Sequence, residues 1–331
     1  MARTSERLAW IALSHVSFLS PREKLLLADM RGGPAGVLEL GLRDMAAMLG
    51  RRFITREWQP ALLMEKAEES ERRLPGEGLG CIFYTDPDYP PQLREIYDPP
   101  AMLYYRGHLP DNGKPLVGIV GTRYPTGAAR KAAFALGFGM ACAGVGVVSG
   151  LARGIDSEAH DGCVEAGGYS IAVLGSGIDL IYPAASRPTA RALLSGGGII
   201  LSEYPPGTPP RRYSFPARNR IISGLCRAVV VVQAPERSGA LITAEYALEQ
   251  GRDLLVHRAG LSGSVGAGTR RLAETGATAV SGAEEILREW GIEASRAAVA
   301  VGETGIEIPR LVKGEISGSC ARRSGLTLWR G

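Results

Sequence analysis

No apolar run in this 331-residue sequence reaches the length of a membrane span, because the longest candidates are interrupted by glycine or charge. The N-terminal stretch argues against a secretory leader. The first stretch, MARTSERLAWIALSHVSF, has an acidic residue early and His15 inside its apolar part. There is no Cys-x-x-Cys. The five cysteines (Cys81, Cys142, Cys163, Cys226, Cys320) are scattered and odd in number. Such a set reads as reduced thiols, not as a disulfide framework or a metal site. Strong charge of one sign is also lacking. A formal net charge of +4 permits a nucleic-acid partner without requiring one. What remains is a chain expected in the cytoplasm, without a membrane partner. Its length and its 45% hydrophobic content supply a sizeable core.

Several catalytic patterns are incomplete. Gly175-Ser176-Gly177 follows an apolar run and Glu203 ends the next one, which sketches a dinucleotide fingerprint. Leu180 stands where the third glycine belongs, and the acidic residue lies further on than the fingerprint places it. Ser149, Asp156 and His160 suggest a hydrolytic triad. No glycine elbow surrounds the serine, and His160 lies one helical turn beyond Asp156. Helix capping and packing are their expected roles. Cys226 has no histidine near it in sequence and is expected to be buried.

What the sequence does have is centred on residues 116–160. Leu116–Val120 is an apolar run short enough for a buried strand, and Gly121-Thr122-Arg123 follows it. A small-residue helix is expected from about Thr126 to Cys142, then a strand over Val145–Ser149. Gly150-Leu151-Ala152-Arg153-Gly154 makes a second loop, with Asp156 the expected N-cap of the next helix. In such a βαβα unit both loops fall on the carboxyl edge of the sheet, where ligands bind in doubly wound folds. Backbone amides and a guanidinium at helix N-termini suit an anion, above all a phosphate. Ser238-Gly239-Ala240-Leu241-Ile242-Thr243 opens a helix after a later strand and adds a third such loop.

The rest of the chain organises around that unit. Residues 1–74 read as four short helices: Ser20-Pro21-Arg22-Glu23 is a capping box, Val37–Leu49 and Glu57–Leu74 have helical spacing, and Gly32-Gly33-Pro34 breaks the chain between helices. This bundle reads as a packing or partner-docking module or as a DNA-contacting one. Its exposed glutamates (Glu65, Glu68, Glu69, Glu71) are not a basic face. Residues 75–80 read as a linker. Strands are expected at Cys81–Tyr84, Met102–Tyr105, Ile171–Leu174, Ile199–Ser202, Ala228–Val232 and Leu254–Val256. Alternating strands and helices from about 116 to 287 predict an α/β, mostly parallel, doubly wound sheet. Residues 291–331 are expected to form a poorly ordered tail.

The segment 211–220, RRYSFPARNR, has arginines at 211, 212, 218 and 220 around Tyr213 and Phe215. Basic groups hold phosphates, while aromatic rings stack on bases whose faces are free only in single strands. A solvated basic loop with Phe215 in the core is the other reading. A position where the segment folds back toward Arg123 favours the first.

Six motifs, in order, carry a resemblance: GIVGTR, VVSGLARGIDSEAH, IAVLGSGIDLIYP, LSEYPPGTPP, FPARNRIISGL and SGALITAEYALEQGR. With YPPQLREIYDPPAMLYYRG upstream, they resemble the DNA-processing protein A (DprA/Smf) family over about 80–290. The helical start is similar to the family's SAM-like domain, which implies domains at 1–74 and 75–290. The resemblance implies an extended Rossmann-like domain that binds single-stranded DNA, forms a homodimer, protects incoming DNA and loads the RecA recombinase in natural transformation. It implies no enzymatic activity and no cofactor. Residue by residue it implies a phosphate contact at Gly121, Thr122 and Arg123, a base stacked on Phe215, and nucleic-acid contacts at Arg212, Arg218, Asn219, Arg220, Ser238, Gly239 and Thr243; the reading of the second loop as an anion site adds Gly150, Arg153 and Gly154. There are two departures. His257-Arg258-Ala259-Gly260 replaces the family's Pro-Gly, and Gly268-Thr269 replaces a Gly-Asn pair. The tail shows no winged-helix pattern. A rival reading is a phosphoribohydrolase-like enzyme with Glu203 or Glu245 beside a ribose. The Gly-Gly-Gly-Thr loop leading into a glutamate, which marks those enzymes, is absent.

Overall fold

Ser20 starts a helix by exchanging two hydrogen bonds with Glu23. The Glu23 amide donates to Ser20 Oγ (3.2 Å) and the Ser20 amide to Glu23 Oε2 (2.8 Å), with Pro21 in the first helical position. The structure, a computed structural model, describes residues 2–110 and 113–293. It begins with α1 (Ala2–Ser14), α2 (Pro21–Met30), α3 (Pro34–Leu38), α4 (Leu42–Leu49) and α5 (Pro60–Gly76). The expected Val37–Leu49 helix is divided, because Asp44 caps the Gly41 amide (3.1 Å) and starts α4 afresh. α5 begins at Pro60, where proline suits a first turn, and runs through Pro75 to Gly76.

The rest alternates strand and helix. It comprises β1 (Gly80–Phe83), α6 (Pro91–Arg94), β2 (Met102–Gly107), β3 (Leu116–Val120), α7 (Gly127–Cys142), β4 (Gly146–Ser149), α8 (Ile155–Glu165) and β5 (Ser170–Leu174). After these come α9 (Arg187–Ser195), β6 (Ile199–Ser202), α10 (Ser214–Leu225), β7 (Ala228–Val231), α11 (Gly239–Glu249), β8 (Asp253–His257), α12 (Ala267–Glu274), β9 (Thr278–Val280) and α13 (Ala283–Trp290). One nine-stranded sheet has the order β1-β2-β6-β5-β4-β3-β7-β8-β9. Only β2 runs against its neighbours. This is the doubly wound α/β architecture. β3 to β6 are laid down in one direction, and β7 to β9 return to the other side of β3. Strands β3 to β7 are buried at every position, as in a sheet covered by helices on both faces.

α1 to α5 pack on the β1–β2 end of the sheet. Trp10, Ile11, Leu13, Leu27, Leu63 and Leu74 share one apolar cluster with Phe83, Tyr104, Leu174 and Ile200. The hydroxyls of Ser14 and Tyr104 meet at 2.9 Å.

Three local expectations are corrected. Asp156 is not an N-cap: Gly154 holds that position, and Asp156 Oδ2 reaches back to the amides of Gly150 (3.0 Å) and Ala152 (3.4 Å). The arginine-rich segment is not a loop throughout, since α10 begins at Ser214. Gly291 closes α13, and the Ile292 amide bonds the Leu287 carbonyl (2.9 Å) while its side chain joins the core. Of the expected tail without a winged helix, residues 294–331 lie outside the described residues.

Candidate nucleic-acid interface

The chain leaves β3 toward β4 and leaves β7 toward β8, so a crevice opens between their carboxyl ends. A cleft of about 320 Å³ lies there. Its walls are the 121–124 loop after β3, Ala152 and Asp156 after β4, Phe215, Pro216, Arg218 and Asn219 on α10, and the 237–240 turn with Thr243 after β7. The first turns of α8, α10 and α11 therefore face one space, and orphan backbone amides at such ends favour an anion.

The β3 loop is held in place by its neighbours. A Cβ on Gly121 would stand 2.5 Å from Ile155 Cγ1 and 2.8 Å from the Gln233 carbonyl, so only glycine fits. The Thr122 amide donates to the Gln233 carbonyl (2.7 Å) and the Ile155 amide to the Thr122 carbonyl (3.2 Å). The Gln233 side chain bonds Thr126 twice: Oε1 accepts from its amide (2.8 Å) and Nε2 meets its hydroxyl (3.3 Å). Gln233 is buried, and nothing in the sequence marked it. On the other wall, Ser238 Oγ caps α11 by accepting from the Ala240 amide (3.3 Å). Asn219 Nδ2 donates to the Gly239 carbonyl (3.1 Å).

Arg123 is exposed, and its guanidinium carbon lies 5.7 Å from the Phe215 ring centroid. That is cation–π range. Phe215 is half-buried and faces the cleft. Arg153, also exposed, stands 5.9 Å over the ring of Tyr124, and Arg237 adds a further exposed guanidinium to the lining. Arg123, Arg153, Arg212 and Arg237 form no ion pair among the described residues. Their charge is available to a ligand.

The remaining arginines are structural in position. Arg218 is buried, and its Nη1 donates to the carbonyls of Gly150 (2.8 Å) and Val173. Burial pulls its pKa down to about 10 against the opposing pull of Asp156, with Arg123 adding to the depression. Burial likewise raises the Asp156 carboxyl, which Arg218 and the Ala152 and Gly150 amides oppose. Arg220 is outside the cleft wall. Its Nη2 grips both oxygens of Glu203 (2.7 and 2.9 Å) and its Nε holds Asp98 (3.1 Å). Burial works against its charge, and Glu203 and Asp98 more than offset that, holding the guanidinium above its usual range. Gly150, Arg153, Gly154 and Arg212 are not among the residues that line the cleft.

The proposed catalytic groups have other partners. Ser149 Oγ donates to the Ile119 carbonyl (2.6 Å), and His160 Nδ1 meets Ser170 Oγ (2.7 Å). Glu203 is taken by Arg220, Glu245 is absent from the cleft wall, and the lining's one carboxylate, Asp156, is tied to two amides. At the divergent segments, Thr269 Oγ1 accepts from the Ala234 amide (2.7 Å) and His257 Nδ1 from the Ala259 amide (3.1 Å), so both loops are closed by this chain's own residues.

The family model for DNA recombination-mediator protein A matches residues 80–291. Protein Smf of Synechocystis is 46% identical over 265 residues, covering 76% of this chain and 64% of that protein. DNA processing protein DprA of Streptococcus pneumoniae is 37% identical over 255 residues, 76% of this chain and 88% of that protein. The X-ray structure of DNA processing protein A from Streptococcus pneumoniae matches with a TM-score of 0.69 at 34% identity, over 88% of this chain and 99% of that one. DNA processing protein A from Helicobacter pylori, described for its unique single-stranded DNA binding mode, matches with a TM-score of 0.56 at 27% identity, over 64% of this chain and 95% of that one. The chain thus spans just under two thirds of the Synechocystis relative and most of the streptococcal one. With its motifs in order and a family model matched from 80 to 291, the chain belongs to the DNA recombination-mediator protein A family.

Proposed function

We propose that this protein is a cytoplasmic recombination mediator that binds single-stranded DNA in the β3/β7 crevice, protects it and loads RecA onto it, as in natural transformation. It acts as a homodimer. The observation that carries the reading is the pairing of Arg123 with Phe215 at the mouth of a cleft built from helix N-termini. A phosphate held between the 121–124 and 237–240 loops pairs with Arg123. The adjoining base stacks on Phe215. Both contacts ignore base identity, so affinity comes without strong sequence preference. The Helicobacter pylori relative, described for binding single strands, supports the ligand class.

The test is a side-by-side measurement. Fluorescence anisotropy with a labelled oligothymidylate is compared with a duplex competitor and with an assay for free base released from nucleoside monophosphates. Single strands are expected to bind, duplex to compete weakly, and no base to appear. Release of base without strand binding overturns the reading in favour of a phosphoribohydrolase-like enzyme. Capture of the cognate RecA by the immobilised protein tests the partner.

A further inference from the structure

The Gly175-Ser176-Gly177 turn carries no dinucleotide function in the reading above, yet it lies against Phe215. A Cβ on residue 175 would stand 2.9 Å from Phe215 Cδ1, so the glycine is the seat on which that ring rests. The same loop then places Tyr182 beside the ring, with centroids 5.7 Å apart and planes tilted by 40°. Tyr182 is 46% exposed, and among the described residues its hydroxyl makes no hydrogen bond.

The loop that presents it is tightly pinned. Ser176 Oγ donates to the Leu180 carbonyl (2.7 Å), the Gly177 amide to the Thr208 carbonyl (2.8 Å), and the Gly207 amide to Asp179 Oδ1 (2.8 Å). Ile181, next to Tyr182, packs into the apolar cluster beneath. A rigid loop that leaves a large ring half in water, in contact with the aromatic of a binding cleft, holds a surface prepared for another flat group.

We propose that Tyr182 is a second base-stacking face, continuous with Phe215, that receives the neighbouring nucleotide of a strand whose phosphate lies at Arg123. The inference rests on the single-strand reading of the cleft. The consequence is selective: base faces are free in a single strand and already stacked in a duplex, so a pair of exposed rings favours single strands.

The experiment titrates the full-length protein with a labelled oligothymidylate of about 10 nucleotides, a length within the range of single-strand site sizes. Wild type is compared with Tyr182→Ala, Tyr182→Leu and Tyr182→Phe, each also in a Phe215→Ala background. Tyr182→Leu keeps an apolar contact with Phe215 and removes the ring, so it controls for loosening of the loop. Loss of about 5- to 100-fold is expected for Tyr182→Ala and Tyr182→Leu in both backgrounds, with the salt dependence unchanged and Tyr182→Phe close to wild type. A loss seen only when Phe215 is present means that Tyr182 merely supports that ring, and overturns the proposal. Binding unchanged by Tyr182→Ala, while Arg123→Ala weakens it, overturns the proposal and leaves the cleft reading intact. No binding of single strands by wild type overturns both.

Discussion

The guanidinium of Arg218 occupies the space that a side chain on Gly150 would need. Its Nη1 donates to the Gly150 carbonyl at 2.8 Å, and a Cβ on residue 150 would fall 2.5 Å from Nη1 and 2.6 Å from Cζ. Gly150→Ala therefore drives the guanidinium off the Gly150 and Val173 carbonyls and away from the buried Asp156. We expect a loss of about 1–3 kcal/mol of stability, typical of overpacking. Urea unfolding at pH 7 checks it, and an unchanged midpoint sinks the idea that this fit is specific.

Arg123 and Phe215 are predicted to serve one site by different physics. Arg123→Ala weakens single-strand binding and lowers the slope of log K against log salt by about 0.7, the loss of one phosphate contact. Phe215→Ala costs about 1–3 kcal/mol of binding with the slope unchanged. Titrations at four salt concentrations separate the two, once thermal melts show both variants folded. Equal slopes for all three proteins would mean that Arg123 touches no phosphate.

Arg220 is predicted to act on stability and not directly on DNA. Arg220→Ala leaves Glu203 and Asp98 without their partner. Breaking a fully buried pair costs about 3–5 kcal/mol, and because Asp98 is partly exposed we expect about 2–3. Arg123→Ala, at an exposed position, changes stability by less than about 0.5 kcal/mol. Denaturant midpoints of the two variants settle the contrast.

Acid should destabilise the fold through two histidines. Burial lowers His160 to about 3 and His15 to about 4, against an ordinary 6.5. Both rings are neutral in the native state and take up a proton when the chain unfolds, so stability is full above pH 6.5 and falls as pH drops toward the folded values. Below 6.5 each ring contributes a slope of about 1.4 kcal/mol per pH unit. His160→Asn should remove its share of the loss between pH 7 and pH 5. An unchanged pH profile in that variant excludes His160 as a source.

The homodimer is tested by light scattering at tens of micromolar protein, on the order of concentrations at which a specific interface is populated. A mass near twice 35.1 kDa is expected. A monomer there counts against the proposal.

How much of this was legible in the sequence follows from which forces act locally. β3 and β6 have the expected ends because each is a short apolar run buried on both faces. Ser20, Thr126 and Ser238 cap their helices as their positions suggest, since a cap needs only neighbours two or three residues away. The arginines of 218–220 are the opposite case. An arginine in sequence reads as solvent-facing, and only long-range partners at Glu203, Asp98, Gly150 and Val173 turn two of them inward. Gln233 carried no motif, and Tyr182, although within IAVLGSGIDLIYP, could not be told there from an ordinary loop aromatic. Their roles come from the crossing of β3 and β7 and from the seat at Gly175.

The Gln233 side chain stitches the two sides of the crevice together behind its lining, from the end of β7 to the start of α7. Walls joined in this way are expected to stay together when a ligand enters, so that the ordering cost of the loops is met during folding. On the single-strand reading proposed above, an incoming strand meets a finished surface. Encounter is then governed by diffusion and by the exposed guanidiniums, and is similar for any flexible strand. Differences among strands of different base content appear in how long they stay, so dissociation rates carry the discrimination.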